Sequence, residues 1–567
     1  RSPESARMSN AVKTASRPAR GTDIADRASV WAMTLFVAAL LIIFLLLPLL
    51  GILMRSLETP DGLGLGNFIA TFSTMRFWEL VGDSILVSLT STAIVVLIAY
   101  GYAYALQRAI IPGKWLLRIV VLVPLFAPSL VQAQGLILLR GRNGILNRYL
   151  GFDLDIYGFW GVAIANALYA FPYAFLILSA ALAVADARIY ESAEALGAGP
   201  LRIFRDVTLP ATRYGLAATL FIVFMLAITD FGNPMVIGGD FNVLATEVYN
   251  QVIGQAQFGL GAVIGVALLV PAMFAKLIEK RMTARQHALV TEQSRPLTPK
   301  PSARRDLFFS LYAYLVAGLV VSVVAIVVFA SFVHLWPYNM SFTLRHYRFD
   351  VQNGTDPLWN SVFVAFATAI VGIIVTGLGA IVVHKFKTAF TGPLSFLAIL
   401  PAAVPGIVLG LGYILVFNDP HNPLNFLYGT FALIVILEVY YNHAHAFLIS
   451  STSLKQIGAT FDEASTTLGG TSMTTLRKVT LPLVWPTLLG VGVFYFMRSM
   501  VSLSAVIFLV TPSTQLASVS VLQLSDRGAI NQAAAFSVCI MGIVVLCLIV
   551  VRVLMRLAGV KNVNLIR

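Results

Sequence analysis

The chain has 567 residues, of which 58% are hydrophobic and 11% charged, and its formal net charge is +13. This composition excludes an ordinary soluble domain, because many apolar runs reach the roughly 20 residues that a helix needs to cross a bilayer. The basic residues gather at the ends of those runs, which is the positive-inside pattern of membrane proteins and argues against a nucleic-acid partner. Cys539 and Cys547 lie about two helical turns apart, too far to bond to each other.

The residues up to 278 predict a tail and six membrane spans. Residues 1–29 are polar and basic, which predicts a flexible cytoplasmic tail. Pro124 and Pro128 lie inside the third apolar run, and a broken helix in a membrane usually lines protein or a cavity. The loop 230–259 contains no Lys or Arg, as expected of the outer face. The predicted spans of this first domain, 30–278, are Val30–Met54, Ser84–Leu106, Trp115–Leu139, Phe159–Ala185, Tyr214–Thr229 and Leu260–Ile278.

The rest of the chain repeats this pattern. Residues 279–306 are basic and rich in proline, which predicts an extended cytoplasmic linker. In the second domain, 307–560, Pro401 and Pro405 match the two prolines of the third run at an offset of 277, so both halves have the same orientation. The basic ends place both termini in the cytoplasm, although Arg140, Arg142 and Arg148 in an outer loop break the charge rule. The second set of spans is Leu307–His334, Ser361–His384, Leu394–Phe417, Tyr428–Ser451, Leu488–Val510 and Ala534–Leu557.

One polar stretch between spans occurs twice without a gap. Residues 191–210 read ESAEALGAGPLRIFRDVTLP and residues 463–482 read EASTTLGGTSMTTLRKVTLP, at an offset of 463 − 191 = 272. Glycine tolerates left-handed φ and ends a helix, so each copy predicts two short helices around a glycine joint. A polar joint of this kind suits docking to a soluble partner. The residues expected to carry it are Glu191, Ala193, Gly197, Leu209 and Pro210 in the first copy, and Glu463, Ala464, Gly469, Leu481 and Pro482 in the second.

The paired motif resembles the "EAA" signature of permease subunits of binding-protein-dependent bacterial ABC importers. Two copies in one chain resemble the fused permeases of the ferric-iron and 2-aminoethylphosphonate group, although Ser192 and Ser465 replace the consensus alanine. The resemblance covers about residues 30–560. It implies an all-α polytopic protein of twelve transmembrane helices, built as two homologous six-helix halves with the fold of a type I ABC importer permease. It also implies that each motif forms a coupling helix in the cleft of one of two ATPase subunits, and that a periplasmic binding protein delivers the substrate to this inner-membrane subunit.

The chain is not expected to be an enzyme or to bind a cofactor or a metal. A phosphate-binding loop of the type G-x-x-x-x-G-K-[ST] is absent from the sequence, so ATP and Mg²⁺ must be bound by separate ATPase subunits. Asp230, Glu438, Arg498 and Ser502 are candidates for a translocation pathway, because ionisable groups inside spans are costly. An interhelical pair between Arg498 and a carboxylate explains the charges equally well. His443 and His445, at i and i+2 of a helix, point in different directions and make a poor metal site.

The sequence therefore predicts a permease subunit that translocates ferric iron or a phosphonate such as 2-aminoethylphosphonate. A secondary transporter is the alternative, since such proteins also contain internal repeats, but it would not need a duplicated partner-docking loop. A channel would need a filter motif, which the sequence lacks. Few charges lie inside the spans, so selectivity is expected to reside mostly in the binding protein.

Overall fold

The computed structural model describes residues 20–151, 155–184, 186–288, 297–349, 354–386 and 388–557. In these ranges ten helices are long and apolar enough to cross a membrane, and two further pairs of helices pass the same test together as bent spans. The all-α fold with twelve spans is confirmed. Residues 1–19, most of the predicted tail, and residues 558–567 lie outside the described residues.

The first half contains fourteen described α-helices and one two-stranded antiparallel sheet, β1 (Glu58–Thr59) with β2 (Gly62–Leu63). Its helices are α1 Arg20–Leu41, α2 Leu47–Leu57, α3 Gly66–Phe72, α4 Met75–Arg108, α5 Lys114–Val120, α6 Leu130–Arg140, α7 Ile145–Leu150, α8 Phe159–Ala183, α9 Ala187–Ala195, α10 Pro200–Ile203, α11 Leu209–Ile228, α12 Gly232–Ile237, α13 Leu244–Tyr249 and α14 Phe258–Ala288.

The second half contains ten described α-helices and a second antiparallel pair, β3 (Val333–Leu335) with β4 (Asn339–Phe342). Its helices are α15 Ala303–Ser331, α16 Asp356–Lys385, α17 Thr391–Ile399, α18 Gly406–Phe417, α19 Phe431–Gln456, α20 Ala459–Thr467, α21 Ser472–Thr475, α22 Leu481–Val501, α23 Ala517–Asp526 and α24 Ile530–Leu557. Short 3₁₀ turns lie at Val123–Phe126, Arg345–Arg348, Leu400–Ala403 and Asn425–Leu427, and π turns at Ile42–Leu46, Phe204–Thr208, Asn250–Gly254 and Leu476–Thr480.

The third and ninth spans are sharply bent, as their prolines predict. The helical segments Lys114–Phe126 and Leu130–Tyr149 meet at 104°, and Thr391–Ala403 and Gly406–Phe417 meet at 112°. In each half two prolines stand at the break, because proline lacks the N–H that would continue the helix and clashes with the preceding turn. The bend turns the second segment into the interior of the protein, where most residues of α6 and α18 are buried.

Several predicted boundaries were wrong. The eleventh span ends at Val501 and not at Val510, because Ser502 adopts an extended conformation and turns follow it. The first helix begins at Arg20, inside the predicted tail. The predicted linker 279–306 is helical as far as Ala288 and again from Ala303, so within the described residues only 297–302 has the expected extended form.

The first span of each half packs against the other half as well as against its own. These two spans are called the exchanged spans. Helix α2 of the first half packs on α18 of the second, and α15 of the second half packs on α6 of the first. Each contact is made at a glycine: a Cβ added at Gly135 would lie 2.3 Å from the Val323 carbonyl oxygen, and one added at Gly412 would lie 2.6 Å from the Pro48 carbonyl oxygen. The glycines match at the offset of 412 − 135 = 277. Small residues permit such close backbone approach between membrane helices, and here they join the halves.

Candidate functional site

The two polar copies of the repeated motif fold into the same turn. In the first motif turn (residues 193–198), Gly197 has φ +79° and donates a hydrogen bond to the Glu194 carbonyl, while Ala198 N–H donates to the Ala193 carbonyl. In the second motif turn (residues 465–470), Gly469 has φ +77° and the same two bonds run between matching positions. This pair of bonds is the Schellman motif, which requires a left-handed residue and therefore favours glycine. The predicted glycine joint is confirmed in both halves.

The second predicted short helix of each motif is not a separate element. Helix α10 continues through the π turn Phe204–Thr208 into α11, and α21 continues through Leu476–Thr480 into α22. Proline is tolerated in the first turn of a helix, where its missing N–H has no partner to lose. However, Pro210 and Pro482 lie inside a continuous helical path, which accommodates them by widening to π geometry just before each proline.

Both motif turns expose apolar side chains. Leu196 and Leu468, one residue before each glycine, are each 88% exposed, and Leu201 is 81% exposed. Glu191 and Glu463 are exposed as well. An exposed leucine alone needs no explanation. The same exposed leucine at the matching position of both copies, beside an exposed acid, indicates a surface that another molecule covers.

Each motif turn is anchored to the chain differently. Lys300 of the linker lies 2.6 Å from the Glu194 carboxylate, whose hydrogen bond raises the pKa of Lys300. At the second turn, the Asp26 carboxylate accepts hydrogen bonds from the backbone N–H groups of Ser472 and Met473 at 3.1 and 3.3 Å. The position that matches Ser472 is Pro200, which has no N–H to donate. The turns therefore have the same geometry but different supports.

Three of the four predicted pathway residues converge on one small cavity between the halves. The cavity, of about 60 Å³, is lined by Asp230, Arg498 and Ser502. Glu438 is fully buried behind it and is not part of its lining. Six further polar residues that the sequence analysis did not single out complete the polar lining: Tyr169, Tyr173, Tyr441, Ser129, Ser504 and Thr229. Tyr169 and Tyr441 occupy matching positions, 441 − 169 = 272, and this offset was the signal that could have found them.

Arg498 is held by neutral partners. Its Nε donates to Asn442 Oδ1 at 3.3 Å and its Nη1 donates to the Tyr173 hydroxyl at 3.2 Å. Among the residues that the structure describes, Arg498 forms no ion pair with a carboxylate. The predicted alternative, an interhelical ion pair between Arg498 and a carboxylate, is therefore not seen among the described residues.

The two nearby carboxylates accept hydrogen bonds from residues other than Arg498. Asp230 Oδ2 accepts a hydrogen bond from the backbone N–H of Asn233, in the first turn of α12, at 2.9 Å. Glu438 Oε2 accepts a hydrogen bond from the Asn442 side chain at 3.2 Å. Ser502 Oγ and Glu438 Oε1 are buried neighbours that fall short of hydrogen-bond geometry.

The two histidines of α19 point apart, as predicted. His443 Nδ1 lies 3.2 Å from Thr376 Oγ1, whereas the His445 ring contacts Phe494. In the described part of the chain, groups of three or more His, Cys, Asp or Glu side chains that could hold a metal ion are absent.

Sequence comparisons decide the family. The sequence model of the family described as "Binding-protein-dependent transport system inner membrane component" matches residues 11–286 and, a second time, residues 376–559. The chain belongs to this family. Both motif turns lie inside the matched ranges, and the double match confirms a fused permease of the ABC importer class.

Curated relatives of this permease carry different substrate names. "Ferric transport system permease protein FbpB" of Actinobacillus pleuropneumoniae is 29% identical over 492 residues, which cover 82% of this chain and 71% of the relative. "Thiamine transport system permease protein ThiP" of Brucella abortus is 32% identical over 41% of this chain and 42% of its own length. "Putative 2-aminoethylphosphonate transport system permease protein PhnV" of Salmonella paratyphi A is 26% identical over 43% of this chain and 96% of its own. Of these three, only the ferric permease matches along most of both chains.

Proposed function

We propose that this permease imports a small solute through the polar cavity between its halves, driven by two copies of a cytoplasmic ATPase that dock on the two motif turns. A periplasmic binding protein delivers the solute to the opposite face. ATP and Mg²⁺ are bound by the ATPase subunits, and this chain supplies the passage. Both termini and the linker lie on the cytoplasmic side.

The observation that carries the proposal is the duplicated motif turn. Leu196 and Leu468 are equally exposed, and Gly197 and Gly469 hold the two turns in one conformation. Two copies of one partner need two docking surfaces with the same geometry. A permease that docks a single partner would not need a second such surface. The helix that follows each turn continues without a break into a span that borders the cavity, α11 ending near Asp230 and α22 at Val501. A displacement of the turn is therefore transmitted along one continuous helix to the cavity.

The supports of the turns favour this coupling. Asp26 belongs to α1, which packs against α16 of the other half, so a displacement of the second motif turn moves the first span as well. Asp306, near the start of α15, accepts a hydrogen bond from the Ile110 N–H at 3.2 Å, which ties the other exchanged span to the first half. Both contacts lie at the linker end of the molecule, beside the motif turns.

Ferric iron or a phosphonate is the proposed substrate class. The likeness to a ferric permease over 82% of this chain supports iron, and the likeness to an aminoethylphosphonate permease over 43% of it supports a phosphonate. The polar cavity, with hydroxyl groups, the Arg498 guanidinium and the Asp230 carboxylate, suits a small polar solute such as a phosphonate or an iron complex.

The test is uptake by vesicles that contain this chain together with its ATPase and are supplied with the cognate binding protein. We expect uptake to require both ATP on the ATPase side and the binding protein, and to survive collapse of the ion gradients by ionophores. Uptake without ATP that follows an imposed proton or sodium gradient would instead show a secondary transporter and end the proposal.

A further inference from the structure

The cavity between the halves is symmetric in position but not in charge. It is lined by Tyr169 and Tyr441, which match at the offset of 272, and by Asp230 and Ser502, which match at the same offset. Arg498 lines it from α22, and its counterpart at 498 − 272 = 226 is Leu226, which lines it from α11. The second half therefore supplies the guanidinium, and the first half supplies an aliphatic side chain at the same place.

The guanidinium is the charge that remains available in this cavity. Arginine has five N–H donors and stays protonated, and the two donors described above are directed at neutral oxygen atoms of Asn442 and Tyr173. Asp230, the carboxylate in the lining, already accepts a hydrogen bond from the backbone N–H of Asn233. Glu438, the other nearby carboxylate, is fully buried outside the lining. Arg498 is half-buried and forms no ion pair among the described residues, so a passing anion would offset part of the cost of removing its guanidinium from water.

We propose that Arg498 binds an anionic group of the substrate during translocation, so that the solute crosses as a phosphonate, another small oxyanion or an anionic metal complex and not as an uncomplexed cation. This inference rests on the proposed import function. Charge-assisted hydrogen bonds from a guanidinium to phosphonate or carboxylate oxygens are among the strongest polar contacts in proteins. Tyr169, Tyr441 and Ser504 hydroxyls surround the same space and can donate to the remaining oxygen atoms.

The same geometry disfavours a bare cation. A cation in the cavity would approach the Arg498 guanidinium in a low-dielectric environment, where repulsion between like charges is several times stronger than in water.

The binding experiment uses the purified full-length chain in lipid nanodiscs, with methylphosphonate and inorganic phosphate as probes and calorimetry or ³¹P NMR as the readout. We expect Arg498→Leu, which copies the residue of the other half, to weaken binding of both probes at least tenfold. Arg498→Lys should weaken it less, because it keeps the charge and loses the planar donor set. Arg76→Leu removes an exposed guanidinium outside the cavity lining and, as the matched control, should change binding less than twofold. If Arg498→Leu does not yield monodisperse protein, Arg498→Gln replaces it.

The transport experiment separates this inference from the function on which it rests. In the complete vesicle system, we expect one of two results from the wild type. Uptake of labelled phosphonate would show that the free anion is the substrate. Uptake of iron only when phosphate, pyrophosphate or citrate is present would show that an anionic iron complex is the substrate. Arg498→Leu should reduce that uptake at least tenfold. Unchanged binding and uptake in Arg498→Leu would overturn the inference while leaving the importer intact, as would wild-type uptake of iron or thiamine at a rate independent of added anions. Absence of any ATP-driven uptake by the wild type, with anion binding at Arg498 retained, would instead end the proposed function.

Discussion

Replacing both turn glycines by alanine should separate ATP hydrolysis from transport. Gly197 and Gly469 have φ of +79° and +77°, and no atom lies within 4 Å of a Cβ added at either residue. Alanine would therefore meet no clash and would suffer only the strain of a left-handed backbone, roughly 1–2 kcal/mol at each turn. A cost of this size lowers the ratio of native to alternative turn conformations by a factor of about 5–30.

The same strain is too small to unfold the chain. Twelve spans and the exchanged first helices hold the fold, and both glycines lie in exposed turns at its surface. We therefore expect the double variant to insert and purify like the wild type, with ATPase affinity lowered by at most about 5–30-fold at each turn. Gly199→Ala is the matched control, because Gly199 has φ of −72° and also has open space around its Cβ position.

The assay measures transport and ATP hydrolysis on one reconstituted sample, together with the amount of ATPase that co-purifies. The double variant should lose ATPase or hydrolyse ATP with little uptake, and Gly199→Ala should match the wild type. Wild-type transport by the double variant, at wild-type ATPase occupancy, would show that the motif turns do not couple the two subunits.

Three further predictions follow from the contacts between the halves and at the linker end. Gly135→Leu or Gly412→Leu would push a side chain into an opposing backbone carbonyl, so we expect a loss of roughly 1–3 kcal/mol or more, measured as a lower unfolding temperature in detergent; an unchanged temperature would contradict the close approach. Asp26→Ala should remove two hydrogen bonds at the start of α21, cost about 1 kcal/mol and speed hydrogen exchange at Ser472 and Met473 alone, since Pro200 leaves the first copy without the same donor; equal effects in both copies would refute this asymmetry. Pro299→Cys, in a background without the native cysteines, should react with an impermeant thiol reagent only after cells are permeabilised, and labelling of intact cells would reverse the topology.

Much of the architecture could be predicted from local patterns. Apolar runs of sufficient length located the twelve spans, because a bilayer imposes that length on every helix that crosses it. The gapless repeat at an offset of 272 placed the motif, and glycine at Gly197 and Gly469 predicted the joint, since few other residues tolerate a left-handed φ. The end of α22 at Val501 was missed because the apolar run continues to Val510, and hydrophobicity alone does not distinguish a buried turn from a helix.

Other features depend on the packing of distant segments, and the tertiary structure alone revealed them. The sequence grouped Asp230 and Arg498 as candidates for one pathway, but it gave no sign that Tyr173 of the other half would hold the guanidinium. The contact from Asp26 to Ser472 joins residues 446 positions apart and arises only because the first spans are exchanged between the halves. Composition and periodicity show which segments are long and apolar enough to cross the membrane. Which side chains share a cavity is decided by how the helices pack against one another, and a single sequence carries no local signal for that.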